Sequence, residues 1–284
     1  MKRLIVNADD FGLHPAVNRA IIAGHASGCI TSTSLMTGGA AFHEALAMAG
    51  DCLGLGIGVH LTLVGERPLT DPALIPSLVD REGRFPDNYV QFMVRFLQGK
   101  INLTEVRREL AAQLDKVVAG GITITHVDSH QHLHVLPGII DIVLDLAGRN
   151  GVKALRIPDE SLFFTGGYPF TIGRVVGRSG LSFLAAVARR KAKKRGFAVP
   201  DFFFGMLAGG NMREEYLLNI INTLPQGTSE IMMHPGNDDA LLNSSYPWVY
   251  HWQNELAAVT SSQVLEQLVT QEIQLVSFRE LEHG

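Results

Sequence analysis

Residues 2–37 read KRLIVNADDFGLHPAVNRAIIAGHASGCITSTSLMT, and they hold a first strand–helix–strand unit. Residues 3–8 (RLIVNA) form an apolar run short enough for a buried strand. Residues 15–27 (PAVNRAIIAGHAS) follow as a helix, with Pro15 in a first-turn position that needs no amide donor and Gly28 as the stop. Residues 30–37 (ITSTSLMT) return to a strand. A strand that reaches the next strand through a helix pairs with it in parallel.

The alternation continues along the chain. Helical patterns are AFHEALAMAG (41–50), residues 103–119, GIIDIVLDLAGRNG (138–151), REEYLLNIINTLP (213–225) and SSQVLEQLVTQE (261–272). Between and after them run LGIGVHLTLV (55–64), ITITHVDSH (122–130), VKALRIP (152–158), SEIMMHPG (229–236) and IQLVSF (273–278), which brings the strand candidates to seven. They are rich in Val, Leu and Ile without strict alternation, as parallel strands covered on both faces are. The expected fold is α/β: a (β/α) TIM-like barrel of seven or eight strands, somewhat distorted, with an open doubly wound sheet as second choice. No GxGxxG follows the first strand, which argues against a dinucleotide-binding domain. A single domain over 1–284 is expected, with irregular insertions at about 65–102, where Pro68, Pro72, Pro76 and Pro86 break the rhythm, and at 160–212.

Composition narrows the function classes. Net charge is −4 and 46% of residues are hydrophobic, so a large core is available and neither a nucleic-acid nor an acidic-membrane partner is expected. The run from Arg189 to Arg195 is the exception. It reads as a solvated face, with a groove for an anionic substrate or a lipid headgroup as the minor alternative. Two cysteines, Cys29 and Cys52, make no disulfide framework and suit a reducing compartment. The chain opens on a strand rather than a leader, and no apolar run approaches the roughly 20 residues of a membrane span. A cytoplasmic protein is expected.

In parallel α/β folds, functional groups gather at the C-terminal ends of strands. Here the polar residues do so: Asn7, Asp9 and Asp10; then His60; then His126 to His130; then Arg156, with Asp159 and Glu160; then His234. Unpaired buried charge is expensive, so five such clusters on one rim imply a common task. The stretch THVDSHQHLHVLP (125–137) can be read geometrically. Alternate strand residues lie roughly 6.5–7 Å apart, and a metal–nitrogen bond spans about 2.1 Å, so one ion cannot collect every side chain. The strand end favours His130 as ligand. His126 and Asp128 lie lower, orienting ligands or closing the floor. His132 and His134 lie past the end, as substrate contacts or partners of carboxylates, and Asn7 joins this supporting group.

One carboxylate and two histidines with open positions fit metal-assisted hydrolysis. Asp10, His60 and His130 would hold one divalent ion. Asp9 would be the base, His234 the acid, and Arg156 would hold Asp9 charged. Each residue has a plainer alternative: helix cap for Asp9 or Asp10, core histidine for His60, neutralising cation for Arg156, turn residue for His234.

NADDFG at 7–12, GVHL at 58–61, THVDSHQHLH at 125–134 and HPG at 234–236 resemble the YdjC-like (ChbG-type) carbohydrate deacetylases, from residue 1 to about 280. The resemblance implies a (β/α) barrel related to polysaccharide deacetylases. It also implies removal of N-acetyl groups from sugars, such as acetylated chito-oligosaccharides, with a divalent cation: the family points to magnesium, and the His/His/Asp donor set also suits zinc. The family's metal aspartate falls on Asp10 and its metal histidines on His60 and His130. By analogy with the wider deacetylase group, the base falls on Asp9 and the acid on His234. Gln131 stands where several members carry another histidine. Segment 160–212 looks closer to a hopanoid-biosynthesis-associated branch, which leaves an oligosaccharide or a glycolipid as the acetylated substrate. Two other readings compete: another metal-dependent amidohydrolase or phosphoesterase on the same rim, and a non-catalytic metal- or sugar-binding protein. The loop YPWVYHW (246–252) is either a homodimer surface or a platform for sugar rings.

Overall fold

A computed structural model describes residues 1–161, 164, 167–168 and 172–281. The elements are β1 (Lys2–Phe11), α1 (Pro15–Ser27), β2 (Ser32–Leu35), α2 (Phe42–Gly50), β3 (Gly56–Leu61), α3 (Tyr89–Leu97), α4 (Leu103–Ala119), β4 (Val127–Ser129) and α5 (Ile139–Arg149). The second half adds α6 (Ile172–Lys194), β5 (Phe202–Phe204), α7 (Glu214–Thr223), β6 (Gly227–Met233), α8 (Asp239–Ser245), α9 (Trp252–Val259), α10 (Ser262–Thr270) and β7 (Gln274–Leu275). The strands are parallel, in the order β4-β3-β2-β1-β6-β5. β7 pairs with the start of β1 at Arg3 and Leu4, below the point where β2 takes over at Asn7.

This corrects the expected TIM-like barrel: the sheet is an open, curled arc. Closure would need a continuous ladder from β4 round to β5. The segment VKALRIP, expected to supply it, makes only single bridges, Val127 to Leu155 and Ala154 to Ala198. Its pairing stops where Pro158 offers no amide donor and Asp159 N turns back to Ile157 O at 2.9 Å. The curl follows from side chains. In a flat sheet β4 and β1 would stand three strand spacings apart, roughly 14 Å. Yet one guanidinium, on Arg156, bonds Asp9 of β1 at 2.7 Å, Asp128 of β4 at 2.9 Å and Glu230 of β6 at 2.6 Å.

Helices cover the outside of the arc. α4 buries Val106, Leu110, Leu114 and Val117, as helical spacing predicts, while Val118, expected with them, is exposed. The two segments expected to be irregular are not wholly so. Residues 65–102 carry α3, fastened by Tyr89 N donating to Gln131 Oε1 at 2.6 Å. Residues 160–212 carry α6, and Phe202–Phe204 form β5 on the edge of the sheet.

The inside of the arc is polar above and tightly filled below. The His126 ring stacks on Phe278 at 3.8 Å and lies against Gly58, where a Cβ would overlap the imidazole. Gly58→Ala is therefore expected to destabilise the fold by about 1–3 kcal/mol, the usual range for overpacking. Urea denaturation measures it, and an unchanged midpoint would show that His126 can move aside freely.

Candidate metal centre and active site

The rim is built by two backbone reversals. Along a regular strand, Asp9 and Asp10 would point to opposite faces. Asp10 instead has φ 67, and the β1–β2 register breaks between Ala8 and Phe11, so both carboxylates reach the cleft side. Aspartate is one of the few residues that tolerates this left-handed conformation. The second reversal follows β4. His130 is the first residue beyond it, and Gln131 (φ 53) and His132 (φ 59) are both left-handed. His134 locks that turn: its Nδ1 meets Ser129 Oγ at 2.6 Å and its Nε2 meets the Arg156 carbonyl at 2.9 Å.

Asp10, His60 and His130 come together. Asp10 Oδ1 lies 3.4 Å from His60 Nε2 and 3.3 Å from His130 Nδ1. Ligand atoms around a tetrahedral ion with bonds of about 2.1 Å sit roughly 3.4 Å apart. Both Asp10 oxygens are buried without a hydrogen-bond partner, which is costly for a carboxylate unless a cation faces it. Burial opposes its ionisation, but contact with His130 and the nearby His60 and His234 outweigh burial and hold the carboxyl down at about 2. A divalent metal fits this set: two imidazole nitrogens, one ionised oxygen and a cleft that leaves further positions open.

Asp128 orients His60, accepting from its Nδ1 at 2.8 Å, so that Nε2 is turned toward Asp10. Burial works against the His60 imidazolium, but Asp128, Asp9 and Asp10 raise its pKa to about 9. A metal ion held by this set would have to displace a proton from His60 at neutral pH. Below about 9 the proton competes, so the apparent metal affinity is expected to fall about tenfold for each pH unit lost. Titration against a competing chelator from pH 8 to pH 6 tests this; a flat profile would mean that His60 does not enter the coordination sphere.

A second group of potential ligands, Asp9, His60 and Asp128, is already engaged by a cation of the chain. Arg156 is fully buried, and its Nη1 and Nη2 donate to Asp9 Oδ2 and Oδ1, each at 2.7 Å. Burial opposes its charge, but Asp128, Asp9 and Glu230 push its pKa well above the ordinary value. Asn7 does not face the cleft. It donates to Asp9 Oδ1 at 2.9 Å and to Ser34 Oγ at 2.8 Å, completing the setting of Asp9. Asp128 also accepts from Ser34 at 2.6 Å.

His234 follows β6 directly and lines the cleft with Asp9, His60, His130 and His132. Its Nδ1 is buried, without a hydrogen-bond partner, 3.9 Å from Glu255 Oε2, which leaves Nε2 for the cleft. Burial lowers the His234 pKa, only partly offset by Asp9 and Asp10. His132 is also buried; its ring packs against Phe203 and lines the cleft, and desolvation together with Arg156 keeps it neutral. His134 is turned away, into its turn. The loop YPWVYHW divides likewise: Trp248 tilts over His130 at 4.9 Å, Tyr250 lies 5.1 Å from His234, and Trp252 is fully buried.

Two residues here were not singled out from the sequence. Glu230 stands in an otherwise apolar strand, SEIMM, and that isolated charge was a usable signal. Glu255 accepts the backbone N–H groups of His234 and Met212 from α9. Nothing in helical spacing marks it. Burial raises both acids, Glu230 to about 7 and Glu255 to about 8.

The cleft holds about 700 Å³, within the usual range for small-ligand sites. Beside the rim just described, the lining is mostly apolar, with Met93, Leu133, Leu136, Leu181, Leu184 and Met206, and includes the polar Asn88, Tyr89 and Gln131.

A family model described as YdjC-like protein matches residues 3–270. A carbohydrate deacetylase of Brevibacillus brevis is 34% identical over 98% of this chain and 99% of its own. One from Thermoanaerobacter pseudethanolicus is 30% identical over 98% of each. A solved structure from Enterococcus faecalis V583, described as a proposed cellobiose-phosphate cleavage protein, superposes with a TM-score of 0.79 at 27% identity, covering 99% of this chain and 98% of that one. With the family match running nearly end to end, this chain belongs to the YdjC-like protein family.

Proposed function

We propose that the chain is a metal-dependent carbohydrate deacetylase that hydrolyses the amide of an N-acetylated sugar to acetate and a free amine. The observation that carries this reading is the buried, unpartnered carboxylate of Asp10 between His60 and His130, with Asp9 and His234 lining the same cleft. The deacetylase names of the relatives agree with it.

Asp10, His60 and His130 hold the ion, which when bound polarises the acetyl carbonyl and acidifies water. Asp9 takes the water's proton on a carboxylate oxygen, while the Arg156 fork and Asn7 fix its orientation. His234, entering the step as the imidazolium, gives the proton on Nε2 to the leaving nitrogen as the C–N bond breaks; burial makes that charged form scarcer but more acidic. His132 and Tyr250 contact the sugar. Two imidazole nitrogens favour zinc over magnesium. The apolar length of the cleft suits an apolar aglycone and so favours a glycolipid over a free oligosaccharide. A cytoplasmic setting fits the two free thiols.

The test is acetate release from N-acetylglucosamine oligomers and from alkyl glycosides of N-acetylglucosamine, with metal analysis of the purified protein. Release is expected from both, faster from the alkyl glycosides, and lost on chelation. Full activity in metal-stripped protein would overturn the reading. Hydrolysis of phosphate esters, with acetamido sugars untouched, would move the activity to another class.

A further inference from the structure

On α6 the side chains of Leu181 and Leu184 line the cleft, while Ala185, Ala188 and Ala192 are buried against the body. Phe183, Val187, Arg190 and Lys194 fall on another face at i, i+4, i+7 and i+11, a single stripe, and all four are exposed, Phe183 by 71%. Lys193 flanks the stripe and is exposed too. The neighbouring basic residues are neutralised: Arg189 by Asp159 at 2.6 Å, Lys191 and Arg195 by Asp141 at 2.6 and 3.4 Å. Arg190, Lys193 and Lys194 have no carboxylate partner among the described residues. A second helix repeats the apolar part. On α3, Tyr89 and Met93 line the same cleft, and beside them Val90, Val94 and Leu97 form an exposed stripe, Leu97 by 78%.

We infer that α6 and α3 dock the cleft mouth onto an anionic lipid surface, with Phe183, Val187, Val90, Val94 and Leu97 entering the interface and Arg190, Lys193 and Lys194 contacting the headgroups. Apolar groups beside free cations on one helix face are the pattern of an interfacial helix. Basic residues near a negatively charged leaflet each add several-fold in affinity. A second copy of the chain fits this face less well. A two-fold contact along α6 brings the cations near their own symmetry mates or lays them on Phe183 and Val187. No helix among the described residues is long and apolar enough to cross a membrane, so attachment would be peripheral.

The experiment is co-sedimentation of the full chain with phosphatidylcholine vesicles, with and without phosphatidylglycerol, at low and high salt. Binding is expected only to the anionic vesicles and is weakened by salt. R190E/K193E/K194E is expected to bind on the order of a hundredfold more weakly, three cations at about fivefold each. F183S/V187S should lose binding while keeping the circular dichroism spectrum and the acetate release from a water-soluble substrate. Because vesicle binding is read without any substrate, its failure is separate from failure of the deacetylase reading. Absence of binding to anionic vesicles, or binding indifferent to both variants, overturns the inference. So does a dimer in sedimentation velocity that F183S/V187S dissociates, which would give the face to a second copy.

Discussion

Asp10→Asn is expected to abolish the stabilisation by divalent metal, and to cost the metal-free protein the attraction between the Asp10 carboxylate and His60 and His130 but no hydrogen bond. At a metal concentration about a hundred times the dissociation constant, binding raises the unfolding free energy by about 2.7 kcal/mol, and this shift should fall to near zero at the same concentration in the variant. The metal-free prediction rests on the surroundings of Asp10. Its oxygens support no hydrogen bond, so the amide breaks none, and asparagine accepts the left-handed φ of 67 as readily as aspartate. The backbone turn, with Leu13 N donating to Asp10 O at 3.0 Å, is untouched. Acetate release should drop to background. Thermal unfolding with and without metal distinguishes the cases: loss of the metal shift is the expected result, and a retained metal shift would place the ion elsewhere.

The second large effect separates catalysis from binding. Asp9→Asn should lower kcat by about 10²–10⁴-fold, the usual contribution of a positioned general base, with metal content unchanged. Asp9 has the Arg156 fork on both oxygens, so the amide meets a donor where it offers one, and some stability is lost. Circular dichroism must therefore confirm the fold before rates are compared. An unchanged kcat would remove Asp9 from the reaction, and a lost ion would move it into the coordination sphere.

The strand ends could be located in the sequence because short apolar runs stop at Asp9, His60, His130 and His234, and each stop depends on local chemistry. The choice of His130 from the run of alternate histidines also followed from local geometry, since β4 ends at Ser129. Ring closure could not be read the same way. VKALRIP has a strand's composition, but its pairing depends on what Pro158 and the Ile157–Asp159 turn allow across the sheet. Helices α3 and α6 escaped because prolines and glycines nearby hid their periodicity. Glu255 escaped because its partners are main-chain amides from distant segments, which leave no pattern around it. His134, expected as a substrate contact or a supporting residue, clasps its turn to the Arg156 carbonyl.

That arginine has an architectural implication. Where a full barrel is sealed by a ring of main-chain hydrogen bonds, this arc is cross-braced by one guanidinium strung between acids on β1, β4 and β6. Curvature and the orientation of Asp9 thus share a single fastener. Sequence drift that loosens it would splay the groove and disorient Asp9 together, so the mouth can widen for bulkier substrates only through the flanking segments that carry α3 and α6.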